Sequence, residues 1–121
     1  MITTEDVRKL ALAFDGVEEI PHVELISFRV NKKIFATLDL KNKRACLKFN
    51  SSDQSVFCSF DPEAIYPVPN KWGLRGATYV ELGTVREDLF KNALTASYCR
   101  VAPKKSAAKY ESNDRLQKAE R

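Results

Sequence analysis

The chain has 121 residues, 44% hydrophobic and 30% charged, with a formal net charge of +4. That length and balance fit one globular domain with its own core and exclude a disordered chain. No apolar run approaches the ~18–20 residues of a membrane span, and the first residues lack the basic-then-apolar order of a secretory signal, so a cytoplasmic location is expected.

Thr3-Thr4-Glu5-Asp6 reads as a helix start, with hydroxyls to cap free amides and acids at the positive end of the dipole. Val7, Leu10, Ala11 and Phe14 then form one apolar stripe, and Gly16 is suited to close the helix. Residues 17–23 follow as a short extended segment whose Pro21 fits an edge strand.

From Leu25 to Phe49 the pattern changes to period two. Ile26, Phe28 and Val30, then Ile34, Ala36, Leu38 and Leu40, then Ala45, Leu47 and Phe49 predict three antiparallel strands burying one face. Arg29, Lys33, Arg44 and Lys48 are expected on the other face with Phe35, Thr37 and Cys46, while Lys32, Lys41 and Lys43 fall at the turns. Over residues 28–50 seven Lys and Arg stand against one acid, Asp39, so positive charge is concentrated on this meander.

Ser51 and Gln54 have the spacing of a capping box for a short helix through Val56, Phe57 and Phe60, ending at Asp61-Pro62. Residues 61–76, with three prolines and two glycines, are expected to be irregular. Ala77 to Leu82 alternates as a further strand with Val80 and Leu82 inward. Thr84 and Glu87 offer another capping box, opening a helix that packs through Leu89, Phe90, Ala93, Leu94, Ser97, Tyr98 and Val101 and stops at Pro103. Residues 104–121 are polar and basic, and are expected as a frayed or solvated helical tail to a single domain over 1–103. The order of elements predicts an α+β fold, an antiparallel meander with helices packed on one sheet face.

Little here points to catalysis. His22 is the only histidine, and no nucleophile–base pair, glycine-rich phosphate loop or metal-ligand spacing accompanies it. Cys46, Cys58 and Cys99 are scattered and fit reduced thiols near the core. No enzyme activity, cofactor or metal is expected.

The basic meander has two readings. A solvated sheet face uses Lys and Arg as a guard against edge aggregation, and a phosphate-binding surface uses them to release counterions. Phe35, if outward, would add a stacking platform. The loop Pro67 to Gly76 is similarly divided: Trp72 either plugs the core edge while the glycines turn the chain, or joins Lys71 and Arg75 in a recognition surface.

The segments FRVNKKIFATL (residues 28–38), YPVPNKWGLRGATYVEL (66–82) and VREDLFKNALTASYCRVAPKK (85–105), with the Gly16-Val17 pair, resemble the MmcQ/YjbR family over roughly residues 3–105. The resemblance implies a compact α+β domain with a double-wing arrangement likened to DNA-binding proteins, and it implies no catalytic residues. Residues and resemblance together lead to the expectation of a DNA- or RNA-binding monomer with no membrane partner. Its contacts would come from Arg29, Lys32, Lys33, Lys41, Lys43, Arg44, Lys48, Lys71 and Arg75, with Phe35 and Trp72 for stacking. The alternative is a protein-interaction or small-anion-binding module built on the Trp72 loop.

Overall fold

The computed structural model describes residues 2–110. Helix α1 (Thr4–Leu12) begins at a complete capping box: the Thr3 hydroxyl accepts from the Asp6 amide at 3.0 Å, and the Asp6 carboxylate accepts from the Thr3 amide at 2.9 Å. The helix ends at Ala13 rather than at Gly16, which instead takes a left-handed conformation (φ 74°) in the turn leading to the sheet. Strands β1 (Glu18–His22), β2 (Leu25–Val30), β3 (Lys33–Asp39) and β4 (Arg44–Lys48) follow as an antiparallel meander with Pro21 on its edge strand. After α2 (Ser51–Phe60), the span expected to be irregular contains a three-residue strand, β5 (Ile65–Pro67), and a single-turn helix, α3 (Lys71–Leu74). Then come β6 (Ala77–Glu81) and α4 (Glu87–Val101), completing a six-stranded sheet of order β1-β2-β3-β4-β6-β5.

One face of the sheet carries the core. Ile26, Phe28, Val30, Leu38, Ala45, Leu47 and Val80 point from the strands toward Val7 and Ala11 of α1 and toward Leu89, Phe90, Ala93, Leu94 and Tyr98 of α4. The other face carries no helix among the described residues. It exposes a half-buried row of Thr37, Cys46, Tyr79 and Tyr66 in register across β3, β4, β6 and β5.

The alternation fails at one point. Between β2 and β3 the register shifts after Phe28, so Arg29 lies opposite Ile34 and Phe35 is the extra residue of a β-bulge. Ile34 is thereby turned outward and 38% exposed, whereas Phe35, expected outward, is fully buried. Its ring meets Tyr98 edge-on at 5.5 Å and Phe14 at 6.4 Å. Interrupting the ladder costs about one hydrogen bond, ~1 kcal/mol, while burying a phenyl ring returns roughly 2–3 kcal/mol, so the bulge wins.

Two of the expected caps are replaced. Asn50, not Ser51, caps α2 by accepting from the Asp53 amide at 2.7 Å. Gln54 turns inward, donating to the Gly73 carbonyl at 2.8 Å and to the Thr78 hydroxyl at 3.1 Å. Helix α4 starts at Glu87 behind Arg86 with no side-chain cap, because Thr84 and Val85 close a turn on the Glu81 carbonyl. Beyond Pro103 the chain resumes a helix over 104–110 that is docked rather than solvated. Ala107 is buried, Tyr110 packs edge-on against Phe14 and Tyr98, and Lys109 pairs with Asp15 at 2.9 Å. The rest of the expected tail, residues 111–121, lies outside the described residues.

Candidate functional site

Strand direction decides where the basic residues go. Because β2, β4 and β5 run one way and β1, β3 and β6 the other, the β2–β3 turn, the end of β4 and the β5–β6 connection all meet at one end of the sheet, here called the upper end. The β3–β4 turn lies at the opposite end, roughly 23 Å away along the seven residues of β3. The meander that reads as one cluster in sequence is therefore divided. Lys32, Lys33, Lys48 and, from the β5–β6 connection, Lys71 and Arg75 gather at the upper end, whereas Lys41 and Lys43 stand at the lower one. From β2 to β6 the upper end spans three inter-strand spacings, about 14 Å.

The cations also differ in how far they are committed. Arg29 lies 3.4 Å from Glu18. Arg44 lies 4.0 Å from Asp39 and 3.9 Å from Glu81, with its guanidinium 3.9 Å from the Tyr79 ring centroid. Tyr66 donates a hydrogen bond to Glu81, which pushes the phenol's pKa up because ionisation would lose that bond and set two negative charges together. Arg44 is thus held inside a polar knot on the open face. In contrast, Lys32, Lys33, Lys48, Lys71 and Arg75 are all exposed and form no ion pair among the described residues. The acids near α1 are largely occupied: Arg8 bridges Glu5 and Glu19, and Asp15 pairs with Lys109. No group of three or more His, Cys, Asp or Glu side chains capable of holding a metal occurs among the described residues.

Lys32 reaches its place through an unusual backbone. Asn31 (φ 53°) and Lys32 (φ 65°) are both left-handed, the signature of a two-residue type I′ hairpin turn, where glycine is the favoured second residue. The lower turn has a different construction, in which the Asp39 carboxylate accepts from the Asn42 amide at 3.0 Å and Lys43 takes φ 51°.

The Trp72 loop is built on two backbone contacts. A Cβ on Gly73 would lie 1.9 Å from the Val68 carbonyl oxygen, and one on Gly76 would lie 1.9 Å from that of Phe49, so only glycine permits these approaches. The Asn70 side chain accepts from the Trp72 amide at 2.8 Å, fixing the start of α3. With the chain pinned on both sides, Trp72 projects outward and is 54% exposed, with the Arg75 guanidinium 5.6 Å from its ring centroid. The ring does not plug the core edge. Leu74 beside it is 88% exposed. Phe35, the other candidate for stacking, is in the core, so Trp72 alone of that pair is accessible.

The comparisons with known proteins agree with this architecture. A family model described as YjbR matches residues 12–100. Among solved structures, the crystal structure of the Deinococcus radiodurans protein DR2400, with the family-model domain DUF419, has a TM-score of 0.72 at 23% identity. The match covers 92% of this chain and 89% of that one, a likeness of fold. No curated protein matches.

Proposed function

The chain belongs to the YjbR family, and from that premise and the make-up of its upper sheet end we propose a non-catalytic nucleic-acid-binding domain that grips the phosphate backbone. One observation carries the reading: five exposed cations from three separate stretches of chain converge on one end of the sheet without ion-pair partners among the described residues. Like charges collected in this way repel one another, and an anionic partner relieves the repulsion while releasing its own counterions. Lys41 and Lys43 supply a weaker second contact at the other end. Arg44 serves the fold. Cys46 and Cys58 are free thiols, which fits action in the reducing cytoplasm.

The test is a titration of labelled DNA and RNA oligonucleotides across a range of salt concentrations. Replacing Lys32, Lys33 and Lys48 together by Ala should weaken binding and lower the salt slope by about three units. The Lys41→Ala/Lys43→Ala pair should do less. Unchanged affinity and slope in the triple variant would sink the proposal.

A second reading, a protein-interaction module built on the Trp72 loop, is favoured by the exposure of Leu74 beside Trp72. It predicts a domain indifferent to nucleic acid whose binding is lost in Leu74→Ser.

A further inference from the structure

We infer that the upper end selects single-stranded over duplex nucleic acid, with Trp72 as the platform on which an unpaired base stacks. The inference rests on the phosphate-binding reading above and specifies its ligand. Its basis is the combination of an exposed aromatic ring, a rigid pedestal and flanking cations. Trp72 is the chain's only tryptophan, and more than half of its surface meets water. An indole left in water forgoes the burial that normally makes tryptophan worth having, so its exposure calls for a flat apolar partner.

The backbone beneath the ring is anchored at three points. Asn70 holds the Trp72 amide at 2.8 Å, Gly73 rests against the Val68 carbonyl, and the Gly73 carbonyl is held by Gln54 at 2.8 Å. A loop mounted in this way loses little further backbone freedom on binding. Arg75, 5.6 Å from the ring centroid, and the neighbouring Lys71 put positive charge beside the platform. Lys48 lies across from Ala77, which follows the loop directly, so the cations of β4 and of the β2–β3 turn continue the charged track away from the ring.

Stacking on such a platform needs the open face of a base. In a duplex both faces are covered by neighbouring pairs, and exposing one costs unpairing and unstacking. A single strand offers its bases freely while presenting the same phosphates. Groove reading of a duplex calls for a helix or ribbon free to enter it; α1 and α4 are committed to the core, α2 carries no Lys or Arg, and the β2–β3 hairpin is flanked in the sheet by β1 and β4. The arrangement therefore matches a charged track with one stacking step, tolerant of base identity.

The experiment uses the full chain and three probes of equal length: a labelled oligothymidylate, its duplex with oligoadenylate, and an abasic strand carrying the same phosphates. Anisotropy reports binding, and the emission of Trp72, the only indole, reports stacking. The expected result is tighter binding of the single strand than of the duplex and quenching by oligothymidylate but not by the abasic strand. Trp72→Ala should cost about tenfold for oligothymidylate and nothing for the abasic strand, with Trp72→Phe retaining most of the affinity. Salt-dependent binding of all three probes with equal affinity and no quenching would overturn the inference while leaving phosphate binding standing. Failure to bind any probe at low salt would overturn both.

Discussion

The Arg44 guanidinium lies 3.9 Å from the centroid of the Tyr79 ring, across adjacent strands of the open sheet face. With Asp39 and Glu81 each about 4 Å away, the same side chain also neutralises two carboxylates. By charge alone Arg44 is indistinguishable from its lysine neighbours, yet its surroundings make it a part of the fold. Arg44→Gln should lower stability by about 1 kcal/mol, a value kept small because the group is partly exposed. It should leave oligonucleotide affinity within about twofold of the parent. Urea midpoints and anisotropy on the same preparation check both halves, and a loss of affinity matching that of a lysine variant would make Arg44 a ligand contact after all.

Lys32 presents the opposite case. At φ 65° it occupies a position that glycine adopts freely and that costs a side-chain-bearing residue ~1 kcal/mol. Glycine gives back part of that gain through its looser unfolded chain. Lys32→Gly should therefore stabilise the domain by roughly 0.5 kcal/mol, visible as a higher thermal midpoint. If the lysine is there for phosphate, the same variant binds more weakly and its salt slope falls by about one. A variant that is more stable and binds as well as the parent would leave Lys32 without a role in contact.

Much of this was legible in the residues, and the exceptions share a cause. The packing face of α4 read correctly from its spacing, with Leu89, Phe90, Ala93, Leu94, Ser97 and Tyr98 buried and Val101 half-buried, because a helical stripe follows from the sequence alone. The three-strand meander and the edge position of Pro21 followed from local pattern too, whereas β5 and its place at the far edge beside β6 did not. Phe35 and Ile34 did not, because a single bulge exchanges faces and only the aromatic pocket of Phe14 and Tyr98 makes that exchange worthwhile. The clustering of Lys48 with Lys71 and Arg75 was likewise hidden. Proximity in the chain groups Lys48 with Lys43, whereas strand direction sends the two to opposite ends. Tyr110 carries a signal of its docking, as a lone aromatic in a polar stretch that packs on Phe14 and Tyr98.

Acid should weaken the link between α1 and the edge strand. Arg8 donates to the Glu19 carboxylate through Nη2 at 3.0 Å, and that hydrogen bond holds the Glu19 pKa below its ordinary value. A carboxylate depressed in the folded state contributes stability above its unfolded pKa of about 4.3 and loses it as pH falls through the lower folded value. The parent should thus lose more stability between about pH 5 and pH 3 than Glu19→Gln does. Urea melts at a series of pH values measure the difference, and parallel curves would mean that the bridge contributes nothing.

The glycines provide the sharpest contrast within one molecule. At Gly76 a methyl group would sit 1.9 Å from the Phe49 carbonyl oxygen on a backbone at φ 106°, and neither atom is the end of a flexible side chain. Both are also tied together, since the Phe49 amide donates to the Gly76 carbonyl at 3.0 Å. At exposed Gly83, by comparison, an added methyl meets nothing within 4 Å. Gly76→Ala should cost about 3 kcal/mol or more and Gly83→Ala no more than about 0.5 kcal/mol. Because Gly76 joins the Trp72 loop to β6, the first variant should also shift the emission of Trp72 before the domain unfolds. Equal stability of the two variants would mean that the loop yields where the geometry says it is pinned, and a platform that yields cannot hold a ring ready for a base.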